Sequence, residues 1–265
     1  MNILVIGSEG NVGRHLVPHL RKMNHLVIRA DIVAGYAIDY YQVDINLPGI
    51  DRIVRDNGID AVFCLAAMVS RVTCELNPMM AVQTNVTGLM NVIDACRQEN
   101  AKLVYFSTSE VYGNIEGVKD EERVDIKPNN VYGLTKLMGE RLVEYYVDDL
   151  EAVIVRPFML YHEDECFGDN RSAMIRFVKA LVNREMIIVH KGSTRSWLHM
   201  DDAVVIFERL LRHSGVTVNV GYPEVVATET LAGMMCEMMG LEFERYVKIK
   251  ELPARMTLHK VPDLG

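Results

Sequence analysis

The 265-residue chain has no cysteine pair spaced C-x-x-C, although it holds Cys64, Cys74, Cys96, Cys166 and Cys236. An odd count without zinc-type spacing argues against a disulfide framework or a zinc finger. Reduced thiols in a cytoplasm are expected instead. No apolar run approaches the roughly 20 residues that a membrane-spanning helix needs. Basic residues are in deficit: 28 Lys and Arg stand against 36 Asp and Glu, a formal net charge of −8. That balance argues against wholesale nucleic-acid binding, which needs a basic face. Repeats, low-complexity tracts and Pro/Gly/Ser-rich linkers are missing too, so no separable second domain is expected. The opening Met-Asn-Ile-Leu-Val-Ile-Gly carries neither a basic leader nor a cleavage site and reads as a strand. With 49% hydrophobic and 24% charged residues, the chain has the composition of a folded globular protein rather than a disordered one.

What is present is an alternation. Ile3–Ile6, Leu26–Ala30, Ala61–Leu65, Leu103–Ser107 and Val153–Val155 are short apolar runs rich in β-branched residues. Between them Val12–Met23, Ile50–Asn57, Pro78–Glu99 and Asn130–Val147 place apolar residues three and four apart, the period of a helix. Strand–helix alternation implies right-handed crossovers and a parallel sheet covered on both faces, a doubly wound α/β fold. Residues 1–157 read as mainly cofactor-binding. Residues 158–265 read as a small substrate-side lobe whose segments return to the core. In that lobe helices are expected over Ala173–Asn183, Asp201–His213 and Glu229–Met239, with a strand over Ile187–His190. Met234, Met235, Met238 and Met239 are expected as core.

Gly7, Gly10 and Gly13, with Asn11 and Val12 between them, follow the first strand and open the first helix. Glycines there let backbone N–H groups approach a pyrophosphate at the positive helix end. Asp31 ends the second strand, eighteen residues beyond Gly13. An acid at that point accepts the ribose hydroxyls of NAD and repels the 2′-phosphate of NADP. Arg29 shares the strand parity of Asp31 and could serve a 2′-phosphate, which pulls the other way.

Thr108, Ser109 and Glu110 stand at the C-terminal end of the fourth strand, where doubly wound folds bind ligands. Tyr132 follows Thr108 by twenty-four residues, and Lys136 lies one helical turn beyond on the same face. A free tyrosine has a pKa near 10. Lys136 and a positive nicotinamide ring would stabilise its phenolate. Thr108 would then hold a substrate hydroxyl while Tyr132 takes its proton.

These motifs together resemble the extended short-chain dehydrogenase/reductase superfamily, and within it the NAD-dependent nucleotide-sugar epimerase/dehydratase family. The resemblance also runs through Val43-Asp44-Ile45, Leu65-Ala66-Ala67, Asn85 with Gly88, Phe106–Gly113, Arg156-Pro157-Phe158 and Arg195–Asp202. It implies that Asp44 and Ile45 meet adenine, that Leu65, Ala66, Ala67 and Pro157 line the cofactor cleft, and that Arg195 pairs with a substrate diphosphate. Taken alone, Arg195 could equally be a surface charge. The acid at Glu110 resembles the decarboxylases and sugar 4,6-dehydratases rather than simple 4-epimerases, and Ser109 beside it looks more like the decarboxylase and GDP-mannose dehydratase arrangement. The alternative for Glu110 is structural support of its turn. The resemblance further implies a homodimer formed through Pro78–Glu99 and Asn130–Val147.

Departures cluster on the substrate side. The family's Arg-Pro-Phe-Asn-x-Tyr-Gly-Pro appears here as Arg156-Pro-Phe-Met159-Leu-Tyr161-His162-Glu163, so an asparagine and a Gly-Pro turn are replaced. Cys64 stands where the family has histidine. Val261-Pro-Asp-Leu matches a motif that in relatives precedes a further helix, and here the chain reaches Gly265. His15 and His19 are four apart, a metal-capable spacing, but no third ligand is apparent and both are expected on an exposed helix face. No metal is therefore expected. The leading expectation is NAD-dependent modification of a nucleotide-activated sugar through transient C4 oxidation. One alternative is NAD-dependent dehydrogenation of a small free uronate or hydroxy-amino acid. A non-catalytic dinucleotide-binding protein is another.

Overall fold

The computed structural model describes residues 1–115, 117–122, 125–165, 172–252 and 257–264. Strand β1 (Asn2–Ile6) enters the glycine turn, and α1 (Gly13–Lys22) leaves it. Strands β2 (Leu26–Asp31) and β3 (Tyr40–Gln42), helix α2 (Ile50–Asp56) and strand β4 (Ala61–Cys64) follow. The chain continues through α3 (Arg71–Leu76), α4 (Pro78–Val82), α5 (Leu89–Gln98), β5 (Lys102–Phe106), α6 (Val131–Tyr145) and β6 (Ala152–Pro157). Beyond it lie β7 (Met159–Tyr161), α7 (Ala173–Val182), β8 (Ile187–His190), β9 (Thr194–His199), α8 (Met200–Arg209) and β10 (Val216–Val220). The last elements are β11 (Val225–Ala227), α9 (Thr228–Met238), α10 (Phe243–Tyr246), β12 (Val247–Lys250) and β13 (His259–Lys260).

Seven strands form one sheet in the order β10-β6-β5-β4-β1-β2-β3, every neighbouring pair parallel. Alternate residues of each central strand serve opposite faces, as a pleated strand requires. Leu4, Ile6, Val62 and Leu103 pack with Val54, Val92, Ile93 and Val143 on one face. Ile3, Val5, Phe63 and Val104 pack with Leu16, Leu20, Val204 and Phe207 on the other. Burial on both faces explains why these strands read as continuous apolar runs.

Two expectations need correction, and two edge strands are additions to the sequence reading. Pro78–Glu99 is not one regular helix, because a π-helical stretch, Gln83–Gly88, separates α4 from α5. Its Asn85 accepts the Met68 N–H (2.7 Å) and donates to the carbonyl of Met68 (3.1 Å) and to Thr135 Oγ1 (3.0 Å). That ties the loop after β4 to α6, and such bulges commonly serve sites. Met235 is core and Met239 packs against it, but Met234 and Met238 point to solvent; only the inner face of α9 meets the lobe. Finally, β3 and β10 extend the sheet at its two edges although neither was anticipated. Tyr40–Gln42 is three residues long and half polar, and Val216–Val220 is interrupted by Thr217 and Asn219, so neither has a clear apolar run.

The remaining strands build the lobe: β9 pairs with β7, β11 and β13, and β8 pairs with β12. Phe177, Leu181, Trp197, Leu231 and Met235 fill its small core.

Candidate active site

The turn from β1 to α1 starts with a backbone requirement. Gly7 has φ of +91°, and a Cβ there would sit 2.8 Å from the Ala66 nitrogen. Only glycine allows both the dihedral and that approach. The resulting cleft, about 630 Å³, is lined by Gly7, Gly10, Asn11, Val12, Gly13, Asp31, Asp44, Ile45, Leu65, Ala66, Ala67, Tyr132, Lys136 and Pro157. These residues come from six separate segments and meet at the C-terminal edge of the sheet.

Asp31 accepts the Glu9 N–H on Oδ2 (2.9 Å) and the Val33 N–H on Oδ1 (3.2 Å). Each oxygen keeps a lone pair for a ribose hydroxyl. Arg29, which left the choice of dinucleotide open, is committed elsewhere. Its Nη2 and Nε donate to Asp39 (3.1 and 3.3 Å), and its Nη1 reaches Glu9 (3.4 Å). A 2′-phosphate would meet Asp31 with Arg29 already engaged by Asp39 and Glu9. The cleft fits NAD.

Helix α6 presents the tyrosine. Asn130 caps it, accepting the Gly133 N–H at 2.8 Å, while the Val131 N–H donates to Glu75 at 2.9 Å. A Cβ on Gly133 would lie 2.7 Å from the Glu110 carbonyl oxygen, so glycine lets α6 press against the Ser109–Tyr112 turn. Tyr132 and Thr108 line the same cavity, within reach of each other's fields. Burial holds the Tyr132 phenol above its ordinary value, an effect that Thr108 offsets only in part. Lys136 is buried with its Nζ 4.3 Å from the Tyr105 ring centroid. Burial lowers its pKa to about 8. An ammonium held near neutrality and a phenol held high form a pair that a further positive charge would tip toward phenolate.

Beneath this pair lies a buried network absent from the sequence reading. Glu140, one turn beyond Lys136, receives Arg156 Nε at 3.0 Å and Nη2 at 2.8 Å, and Ser107 also donates to it. Arg156 Nη1 donates to the Tyr112 hydroxyl at 2.9 Å. Burial works against the Arg156 charge, but Glu140 outweighs it and holds the guanidinium above its ordinary value. The four-residue step Tyr132–Lys136–Glu140 was the available signal.

A second cavity, about 530 Å³, opens on the other side of Tyr132 and is lined by Thr108, Ser109, Glu110, Met159 and Arg195. Tyr132, Ser107 and Pro157 border both cavities. Among the described residues, four cationic side chains line the second, Arg71, Arg176, Arg195 and Lys260, against the single carboxylate of Glu110. Burial and the fields of Arg195, Arg176 and Arg71 depress the His190 imidazole as well.

Glu110 is held by residues brought from afar. Lys260 Nζ donates to its Oε1 at 2.5 Å, and Asn130 Nδ2 donates to its Oε2 at 2.9 Å. Arg71 stands 3.9 Å away. Burial alone would raise this carboxyl, but the charges of Lys260 and Arg71 bring it to about 2. Lys260 in turn is lowered by burial to about 8. Arg195 is buried and donates to the carbonyls of Thr194 (2.7 Å), Leu258 (2.8 Å) and Thr257 (2.9 Å). Burial lowers it to about 10. Sequence reasoning missed Arg71 and Lys260, because nothing local marks a lysine 150 residues beyond Glu110 as its partner.

His15 and His19 are half-buried rather than exposed. His15 packs on His162, not on His19. Cys64, Cys74, Cys96 and Cys236 are free and buried, and Cys166 lies outside the described residues.

A parallel sheet with a glycine turn, an acid at the second strand end and a Tyr/Lys pair beside a strand-end threonine defines a dinucleotide-dependent enzyme. The NAD dependent epimerase/dehydratase family model matches residues 3–221, and the chain belongs to that family. It is 28% identical over 241 residues to protein CapI of Staphylococcus aureus, covering 80% of this chain and 70% of the relative. It is 28% identical over 220 residues to a UDP-N-acetyl-alpha-D-glucosaminuronate decarboxylase of Bacillus cytotoxicus, covering 76% and 68%. Among solved structures, the UDP-glucose 4-epimerase of Thermotoga maritima with UDP-glucose superposes with a TM-score of 0.90 at 21% identity, covering 100% and 90%. Among the described residues, no helix is long and apolar enough to cross a membrane.

Proposed function

We propose that the protein modifies a nucleotide-activated sugar by transient oxidation at C4, with NAD retained through the cycle. The observation that carries this reading is the position of Tyr132, which lines both the cofactor cleft and the cationic cavity, with Thr108 beside it in the latter. NAD, when bound, supplies the hydride acceptor and a positive ring charge. Thr108 holds the sugar hydroxyl, Tyr132 removes its proton, and Lys136 stabilises the phenolate. The excess of cations around the second cavity suits a diphosphate, and Arg195 can meet it through the Nε–H and the second Nη2–H that its three carbonyl bonds do not use.

Glu110 and Lys260 form a buried ion pair in the wall of the cavity that Thr108 also lines. An ionised acid there supports chemistry beyond moving a hydride out and back, such as proton handling at C5 or assistance to loss of a C6 carboxylate. The UDP-sugar decarboxylase among the relatives favours that branch.

We place the protein in the cytoplasm, on its free buried thiols. We also read it as a homodimer, because α4 and α6 leave Met79, Met80, Leu134 and Met138 exposed. Sedimentation at micromolar concentration tests the dimer.

The test of the function is incubation with NAD and UDP-, dTDP-, GDP- and CDP-sugars, with mass analysis of products. A product of unchanged mass, or one lighter by water or carbon dioxide, is expected from at least one substrate. Tyr132→Phe should lower turnover about 10²–10⁴-fold while NAD binding persists. Full turnover by that variant would overturn the mechanism.

A further inference from the structure

His162 and Glu163 replace the family's Gly-Pro turn, and the proposed reaction uses neither. The fold brings them to two other histidines from distant segments. His15 of α1 packs on His162 with ring centroids 4.0 Å apart. His199, the last residue of β9, lies 5.1 Å from His162 on the same measure. Glu163 Oε2 is 3.1 Å from His199 Nε2 and 3.9 Å from His162 Nε2. Asp201 Oδ1 is also 3.9 Å from His162 Nε2. The donor atoms of His162, Glu163 and His199 lie within 4.8 Å of one another, as do those of His15, His162 and Asp201.

Ligands about 2.0–2.1 Å from a tetrahedral ion stand about 3.3 Å apart. The measured spacings therefore need only side-chain adjustments to close. The ring nitrogens away from the cluster are also provided for. Asp164 Oδ2 is 3.7 Å from His162 Nδ1, and Asp201 Oδ2 is 3.8 Å from His199 Nδ1. As the structure stands, these Nδ1 atoms accept the N–H groups of Asp164 (3.0 Å) and Asp201 (3.3 Å), which places each ring proton on Nε2. An ion on Nε2 would displace that proton. Nδ1 would then carry one and turn from the backbone to its carboxylate, the arrangement that orients metal-bound histidines.

We propose that His162, His199 and Glu163 bind a divalent transition-metal ion of the zinc class, with Asp201 and His15 facing the remaining position. Imidazoles select such ions over magnesium or calcium. The ion would fasten the segment after β7 to α1, two residues past Gly13. Glu165 of that segment borders the cofactor cleft.

The test uses untagged, chelator-treated full-length protein titrated with cobalt(II) chloride, then zinc chloride. One cobalt per chain with the intense visible bands of tetrahedral coordination is expected, displaced by zinc, with a rise in melting temperature. His162→Gly should abolish the bands. Glu163→Gln, at an exposed position, should weaken binding at least tenfold without altering the metal-free melting temperature. Asp164→Asn should weaken it about 10–100-fold, and His19→Ala should leave it unchanged. Far-UV circular dichroism and NAD binding confirm that each variant is folded. Absence of a stoichiometric tetrahedral spectrum, or a spectrum that survives His162→Gly, would overturn the proposal. Neither result bears on the sugar reaction, because turnover is not the readout.

Discussion

The cofactor cleft takes its shape from backbone: Gly7 at positive φ, the N-terminus of α1, and strand ends in fixed register. The cationic cavity beside it takes its character from long charged side chains sent in by α3, α7, β9 and β13. The first kind of site depends on local conformation and has few alternatives. The second depends on which distant segments the fold brings together, so its charge can change while the sheet stays constant. Tyr132 belongs to both cavities, which is why its helix is anchored from each side.

The two can be separated by mutation, and the largest effect should come from the anchor they share. Glu140→Ala leaves the Arg156 guanidinium buried without its partner, and about 3–5 kcal/mol of stability should be lost in urea unfolding. A loss under 1 kcal/mol would mean that the network does not hold the two sides together.

Next comes acid sensitivity of the cationic cavity. Glu110 stands at about 2 against an ordinary 4.5. Its folded pKa is depressed, so its contribution is full above pH of about 4.5 and disappears as pH falls toward 2. The contribution is of order 3 kcal/mol. Glu110→Gln should flatten the stability–pH curve across that window, and an unchanged curve would remove Glu110 as its source.

On the cofactor side, Gly7→Ala should cost about 1–3 kcal/mol through strain and weaken NAD at least tenfold by calorimetry. Sugar-nucleotide binding to the cationic cavity should suffer less; equal loss at both would erase the distinction drawn between them. The smallest effect is expected from Arg29→Ala. Because Asp39 and Glu9 already occupy this side chain, preference for NAD over NADP should stay within about twofold, against the roughly tenfold per 1.4 kcal/mol that a lost phosphate contact would produce.

Reading the chain alone was most successful where structure is local. Five central strands and the helix starting at the glycine turn follow from apolar period and turn chemistry. The placement of Asp31 and Thr108 at strand ends and of Tyr132 and Lys136 on one helix follows from their offsets along those elements. The edge strands β3 and β10 were illegible because each is short and partly polar, stabilised by a neighbour already in place. The π-helical stretch was illegible because Asn85 earns it through a contact with Thr135, fifty residues away.

The amino-acid sequence by itself determined a parallel α/β sheet, a dinucleotide turn and a Tyr/Lys pair, because each depends on residues within a few turns of one another. Only the tertiary structure decided that Lys260 neutralises Glu110, that Asp39 occupies Arg29, and that three histidines from α1, β9 and the segment after β7 converge. Those are meetings of charged groups across long stretches of chain. Their energies depend on distance and burial, which no spacing in the sequence encodes.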